Sequence, residues 1–174
     1  MSEMIYKFVV ISGEDENFVR EFELLEGNTL LDFHNILQDE LEYDKSQMAT
    51  FFTTTARWEK EEEFTMIDMG SNTTLMEDVI IDDIVIENNQ KLLYIFDLFN
   101  ERALFIECMG TLNELEEREY PICTKSHGLP PQQVVFAGFN ARNYQESDDI
   151  EDDLIIDDEA DLSDFDNIED FEEI

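Results

Sequence analysis

Residues 4–12 (MIYKFVVIS) form an apolar, β-branched run that suits a buried strand. The polar stretch Gly13-Glu14-Asp15-Glu16-Asn17 predicts a turn. Beyond it, Phe18, Arg20, Phe22 and Leu24 alternate with Val19, Glu21, Glu23 and Leu25. That period of two completes a hairpin, which Gly27-Asn28 ends. The pattern then changes to a helical one. Leu30, Phe33, Leu37 and Leu41 recur at three and four residues and make one apolar stripe, while Asp39, Glu40 and Glu42 lie off it. Thr29 and Asp32 have capping-box spacing at its start. The helix is expected to stop near Tyr43-Asp44.

Residues 47–54 (QMATFFTT) read as a third strand. Arg57 to Glu63 reads as a charged connection and Phe64 to Ile67 as a short strand. Thr74 to Asp83 suits a short helix, although Ile80-Ile81 and Ile84 to Ile86 also suit a strand. Lys91–Phe99 and Arg102–Met109 are the clearest strand pair, joined at Asn100-Glu101. Residues 113–145 hold no long periodic segment, and Pro121, Gly128, Pro130, Pro131 and Gly138 punctuate them. Strands flanking one main helix indicate an α+β domain over residues 1–145, with a mostly antiparallel, β-grasp-like sheet.

Residues 146–174 differ in kind. They hold sixteen Asp or Glu and no Lys or Arg, so they carry −16 of the total −35 and leave −19 on residues 1–145. Their apolar residues Leu162, Phe165, Ile168, Phe171 and Ile174 recur every three positions, a spacing that drifts round a helix of 3.6 residues per turn. A disordered acidic tail is expected. Such a tail could solvate the protein, fold onto a basic, partly apolar groove of a partner, or fold back on its own domain.

The charge balance narrows the partners. Five Lys and five Arg, dispersed along the chain, cannot neutralise a phosphate backbone, so direct nucleic-acid binding is not expected. Anionic membranes are disfavoured for the same reason. Two cysteines make no disulfide framework, and no signal-peptide pattern or membrane-length apolar run is present. A cytoplasmic protein is expected.

The ordered set of hairpin, TLLDFHNI (29–36), QMATFF (47–52), KLLYIFD (91–97) and a Cys-Gly-Pro-Pro element resembles the plasmid pRiA4b ORF-3-like family, in the form of its Bacteroidetes members. The matching residues are Leu30, Phe33, His34, Asn35 and Ile36, then Tyr94, Phe96 and Asp97, then Cys123, Gly128, Pro130 and Pro131. The resemblance spans about residues 4–140. It implies an α+β fold related to the β-grasp and no established activity. The chain departs from the pattern at Asp97 to Arg102, where a Gly and a Trp are lost. Gln132-Gln133 likewise stand where the family has two carboxylates.

Candidate chemistry is sparse. His34, beside the helical stripe, could be a general base, but its position suits a packed histidine with one hydrogen bond. Cys123 and His127 have the C-x-x-x-H spacing of half a zinc site or of a nucleophile pair. Asp97 could share acid–base work with Glu101 or Glu107, or bond to its own turn. The tail fits no calcium loop, and the six glycines form no phosphate-binding loop, so no cofactor is expected. The leading expectation is a non-enzymatic interaction domain that binds a protein with a basic surface. A hydrolase or transferase centred on Asp97 and His34, or on Cys123 and His127, is the alternative from another class. Acidic mimicry of nucleic acid is the third. Like charge at this density strains the compact state, so screening should stabilise it. The melting temperature should rise between roughly 10 and 300 mM salt, as the Debye length falls from about 30 Å to about 6 Å; thermal melts that do not move over this range would contradict it.

Overall fold

The first hairpin forms where the alternation places it. Strand β1 (Met4–Ser12) and strand β2 (Val19–Leu25) pair antiparallel from Ile5 opposite Leu25 to Ile11 opposite Val19. Phe8, Val10, Phe22 and Leu24 point from it to one side, and helix α1 (Leu30–Leu41) lies on that side. This computed structural model describes residues 3–70, 72–113 and 118–134. The expected acidic tail lies outside the described residues.

Helix α1 begins as its sequence requires. The Thr29 hydroxyl accepts from the Asp32 amide at 3.1 Å, and the Asp32 carboxylate accepts from the Thr29 amide at 2.8 Å. Its C-cap, Glu42, turns left-handed at φ 54° and donates its amide to the carbonyls of Gln38 and Asp39. Leu30, Phe33, Leu37 and Leu41 are all buried. The Phe33 ring is the centre of the core. It meets Phe8 at 5.1 Å, Phe22 at 5.7 Å and Phe51 at 5.6 Å between centroids.

The remaining strands are β3 (Thr50–Thr54), β4 (Lys60–Thr65), β5 (Thr74–Leu75), β6 (Lys91–Asp97), β7 (Arg102–Asn113) and β8 (Ile122–His127). They join the hairpin in one sheet of order β5-β4-β3-β6-β7-β1-β2-β8. Every pairing is antiparallel except the short β4–β5 one. The protein is therefore α+β, with a mostly antiparallel sheet and one main helix.

Strands β4 and β8 depart most from the expected boundaries, while β3, β6 and β7 shift by two to four residues at one end. Strand β4 starts at Lys60, inside what reads as a charged connection, because its first three residues are exposed and need no apolar partner. Strand β8 lies in the segment that shows no periodicity. It is an edge strand paired only to β2, and exposed from Thr124 to His127. Residues 74–84 satisfy both competing patterns in turn. Strand β5 leads into a tight turn at Met76–Asp78, and helix α2 follows (Ile81–Ile84). Met76, Ile81 and Ile84 fill the core there.

Only one face of the sheet carries α1. On the other, the register sets Val19, Ile11, Phe105, Leu93 and Phe52 side by side across five strands. Trp58, at φ 67° in the β3–β4 turn, lies edge-on to Phe105 with centroids 5.0 Å apart.

Truncating the centre of the aromatic cluster should be far costlier than removing the cap. Phe33→Ala is expected to lose about 3–5 kcal/mol and Thr29→Ala about 1 kcal/mol in denaturant unfolding; equal losses would show that Phe33 does not organise the core.

Candidate functional site

Two histidines, two cysteines and Asp97 carry the chemistry legible in the chain, and the fold places them in separate surroundings. His34 faces inward from α1 and is 3 % exposed. Tyr94, at the centre of β6, is fully buried opposite it. Gln38 donates its amide to the Tyr94 hydroxyl at 2.6 Å, and the hydroxyl lies 2.8 Å from His34 Nδ1. With Gln38 donating, the hydroxyl is placed to donate to Nδ1, the arrangement that suits a neutral imidazole protonated on Nε2. Burial pushes the imidazole down to about 4, helped by the nearby Lys45, and pushes the Tyr94 hydroxyl well up. A neutral, enclosed imidazole can hold this hydrogen bond but cannot meet a solute.

Asp97 ends β6 and bonds to its own turn. Its Oδ1 accepts from the amides of Phe99 at 3.1 Å and Asn100 at 3.0 Å, and its Oδ2 accepts from the Asn100 side chain at 2.8 Å. The Asn100 side chain, its amide and that of Phe99, together with Arg102, hold the carboxyl below the usual range. This is a turn-capping carboxylate, ionised and occupied, and poorly placed to act as a general acid.

Cys123 and His127 do not form a pair. Both lie on β8, four residues apart in an extended strand, so their backbones are separated by roughly 13 Å. The C-x-x-x-H spacing that joins two side chains on a helix keeps them apart on a strand. The Cys123 thiol is pushed up to about 11 by burial and by Glu40, which leaves it protonated and unreactive. It donates to the Lys125 carbonyl at 3.3 Å. His127 is exposed. Among the described residues, no three His, Cys, Asp or Glu side chains come together as a metal site.

The residues that organise this end of the molecule are two arginines. Arg20 is an inward position of β2's alternation, and a buried guanidinium must find acceptors. Its Nη1 donates to the His127 carbonyl at 2.7 Å, its Nη2 to Gly128 at 3.0 Å, and its Nε lies 3.1 Å from Glu40. Gly128 is required there. It sits at φ +75°, and a Cβ would come within 2.5 Å of the Asn17 carbonyl oxygen. Arg102 grips Glu14 with both arms, at 2.6 and 2.7 Å, and donates to the Gln132 carbonyl at 2.8 Å. Its guanidinium also lies over the Phe96 ring. Tyr43 donates to the Pro131 carbonyl at 2.6 Å, and the Gln133 side chain exchanges two bonds with the backbone of Asp44. Residues 128–134 are thus strapped across the end of α1. An open groove of about 530 Å³ runs between Leu41–Asp44 and Pro130–Gln133.

The segments held together here are the helix with His34, the strand with Tyr94, Phe96 and Asp97, and the Gly128-to-Pro131 turn. The model of the plasmid pRiA4b ORF-3-like proteins matches residues 5–166. The chain belongs to this family. The match reaches beyond the 4–140 span of the sequence resemblance and takes in most of the acidic segment. A search of curated proteins finds no match. A crystal structure of a protein of unknown function from Methanosarcina mazei Go1 is similar, with a TM-score of 0.62 and 20 % identity. The similarity covers 72 % of this chain and 71 % of that one, and it bears on the fold alone.

In this member of the family the signature residues are engaged within the fold, by one another or by Arg102 and Tyr43. His34 meets Tyr94, Phe96 lies under Arg102, and Pro131 accepts from Tyr43. Sequence reasoning pointed to Asp97 and His34 but missed Arg20 and Arg102. An arginine inside the Phe18–Leu24 apolar alternation was the one available signal.

The His34 surroundings set a pH dependence. Its folded-state value lies below its unfolded one, near 6.5, so its stabilising effect is complete above pH 6.5 and is lost as pH falls toward 4. Between pH 6.5 and 5 the wild type should lose about 2 kcal/mol more than His34→Gln in chemical denaturation; parallel pH profiles for the two proteins would contradict this.

Proposed function

We propose that this chain is a cytoplasmic, non-enzymatic protein-interaction domain that binds a partner with a basic surface. We read its hairpin–helix–sheet order as β-grasp-like. The supporting observation is where unneutralised charge lies. Around α1, each of three cations already has an acid: Arg20 has Glu40, Lys45 has Asp39 and Arg102 has Glu14. Beside β4 and α2 the situation differs. A groove of about 290 Å³ lies between Thr53, Glu61, Glu62, Asp83, Ile84 and Gln90, and Ile86 at its rim is 86 % exposed. None of its three carboxylates has an ion pair among the described residues. An apolar floor rimmed by carboxylates without an ion pair complements an apolar side chain flanked by Lys or Arg.

The inward-facing chemistry supports the same reading. His34 and Asp97 are occupied by fold-building hydrogen bonds, and the Cys123 thiol is protonated.

Affinity capture from the native host, using the full chain, tests this. Basic proteins should be recovered at roughly 50 mM salt and released by roughly 500 mM, as screening of exposed charge requires. The triple variant Glu61→Gln, Glu62→Gln, Asp83→Asn should recover much less. Equal recovery by variant and wild type, unaffected by salt, would sink the proposal.

A further inference from the structure

The helix-free face of the sheet has a charge character unlike the rest of this acidic molecule. Strand order, not sequence, gathers the cations there. Residues directly opposite in antiparallel strands share a face, so the register places Lys7 beside Glu23, Lys91 beside Glu107 and Lys125 beside Glu21. Lys125 Nζ lies 3.8 Å from Glu21, and Arg118 lies 3.9 Å from Glu23. Lys60 covers the Phe52 ring at 4.8 Å and reaches Glu101 at 3.7 Å. Five of the chain's ten Lys and Arg therefore stand beside Glu21, Glu23, Glu101 and Glu107, and with Glu63, opposite Phe52, five acids balance five cations on this face in a chain of net charge −35.

Between these charges runs an apolar row. Ile11 is 43 % exposed, and Val19, Phe105 and Phe52 are half-buried beside it. Val9 extends the row along β1. Trp58 closes it over Phe105, held by Lys91, whose ammonium lies 4.6 Å from the indole centroid and donates to the Ala56 carbonyl at 3.0 Å. Six strands, from β2 to β4, span about 24 Å at ~4.8 Å per spacing. Over ~20 Å of strand length this is about 500 Å² in projection, or about 1,000 Å² for two copies, the lower bound of a specific interface.

We propose that this face is the homodimer interface of the protein, with a second copy of the chain packing sheet against sheet. The choice of occupant rests on charge. Two bodies that each carry a large negative charge repel wherever their acids face one another. They can approach only where local charge cancels, and the helix-free face meets that condition. It also presents both signs in alternation, so Lys91 or Lys125 of one copy can meet Glu107 or Glu21 of the other under two-fold symmetry. A basic partner is attracted to the carboxylate-rimmed groove beside β4 and α2, where no described cation opposes it. The two surfaces therefore differ in the partner they select.

Trp58 is the chain's single tryptophan and lies on the face in question, so it reports directly. Sedimentation velocity on the full chain should show a dimer at about 200 µM or below, within the range of weak but specific self-association. Acrylamide quenching of Trp58 should fall as the dimer forms. Ile11→Glu places a carboxylate in the apolar row and should weaken dimerisation at least about thirty-fold, with its circular dichroism unchanged. Lys91→Glu should weaken it as well. A chain that stays monomeric through about 200 µM overturns the proposal. So does a dimer whose formation leaves Trp58 quenching unchanged, or a folded Ile11→Glu protein that dimerises as tightly as the wild type.

Discussion

One area mismatch governs this structure: among the described residues, one main helix of twelve residues has to cover an eight-stranded sheet. At 1.5 Å per residue α1 is about 18 Å long, whereas eight strands at ~4.8 Å span about 34 Å. The helix covers the middle of one face, where Phe33 joins Phe8, Phe22 and Phe51. Everything else on that face is improvised cover. Met76, Ile81 and Ile84 plug one side, and Tyr43 packs on Phe96 at the other with the 128–134 strap above it. Among the described residues, the opposite face is covered by Trp58 and its own charged side chains.

Improvised cover brings polar backbone and long side chains into the interior, and each must then be satisfied. This is why the residues with the most chemistry are engaged. Tyr94 crosses the core and needs His34 and Gln38 at its hydroxyl. Arg20 enters between β2 and β8 and takes the carbonyls of His127 and Gly128. Arg102 joins the first hairpin turn to the strap through Glu14 and Gln132. The strap carries Gln132 and Gln133 where the family pattern has carboxylates. In this chain the backbone carbonyl of Gln132, not a side-chain acid, receives the arginine. The family signature here describes how the fold is tied together, and that reading needs no shared reaction.

Local physics was legible in the sequence, and pairing between distant strands was not. The first hairpin, the Thr29–Asp32 cap, the stripe of α1 and the Asp97 turn depend on residues within a few positions of each other. Strands β4 and β8 escape detection because they lie toward the sheet edges, where exposed charged and polar side chains are tolerated. The Cys123–His127 spacing misleads for a related reason. Four residues make one helical turn but a 13 Å stretch of strand, roughly, and nothing local marks 122–127 as a strand. The cations show the limit most clearly. Dispersed through the sequence, they converge only once the order β8-β2-β1-β7-β6-β3-β4 is formed.

That convergence follows from sheet stability in an acid-rich chain. Like charges directly opposite across strands are destabilising, and opposite charges add a few tenths of a kcal/mol or more. With forty-five acids and only ten basic residues, a cation set opposite a strand carboxylate supplies the favourable pair. Glu21, Glu23 and Glu107 occupy such positions, and Lys125, Lys7 and Lys91 stand next to them. Cations used in this way are unavailable elsewhere, and among the described residues Glu61, Glu62 and Asp83 have no ion pair around an exposed Ile86. A requirement for folding on one face of the sheet thereby leaves the carboxylates beside β4 and α2 without an ion pair among the described residues.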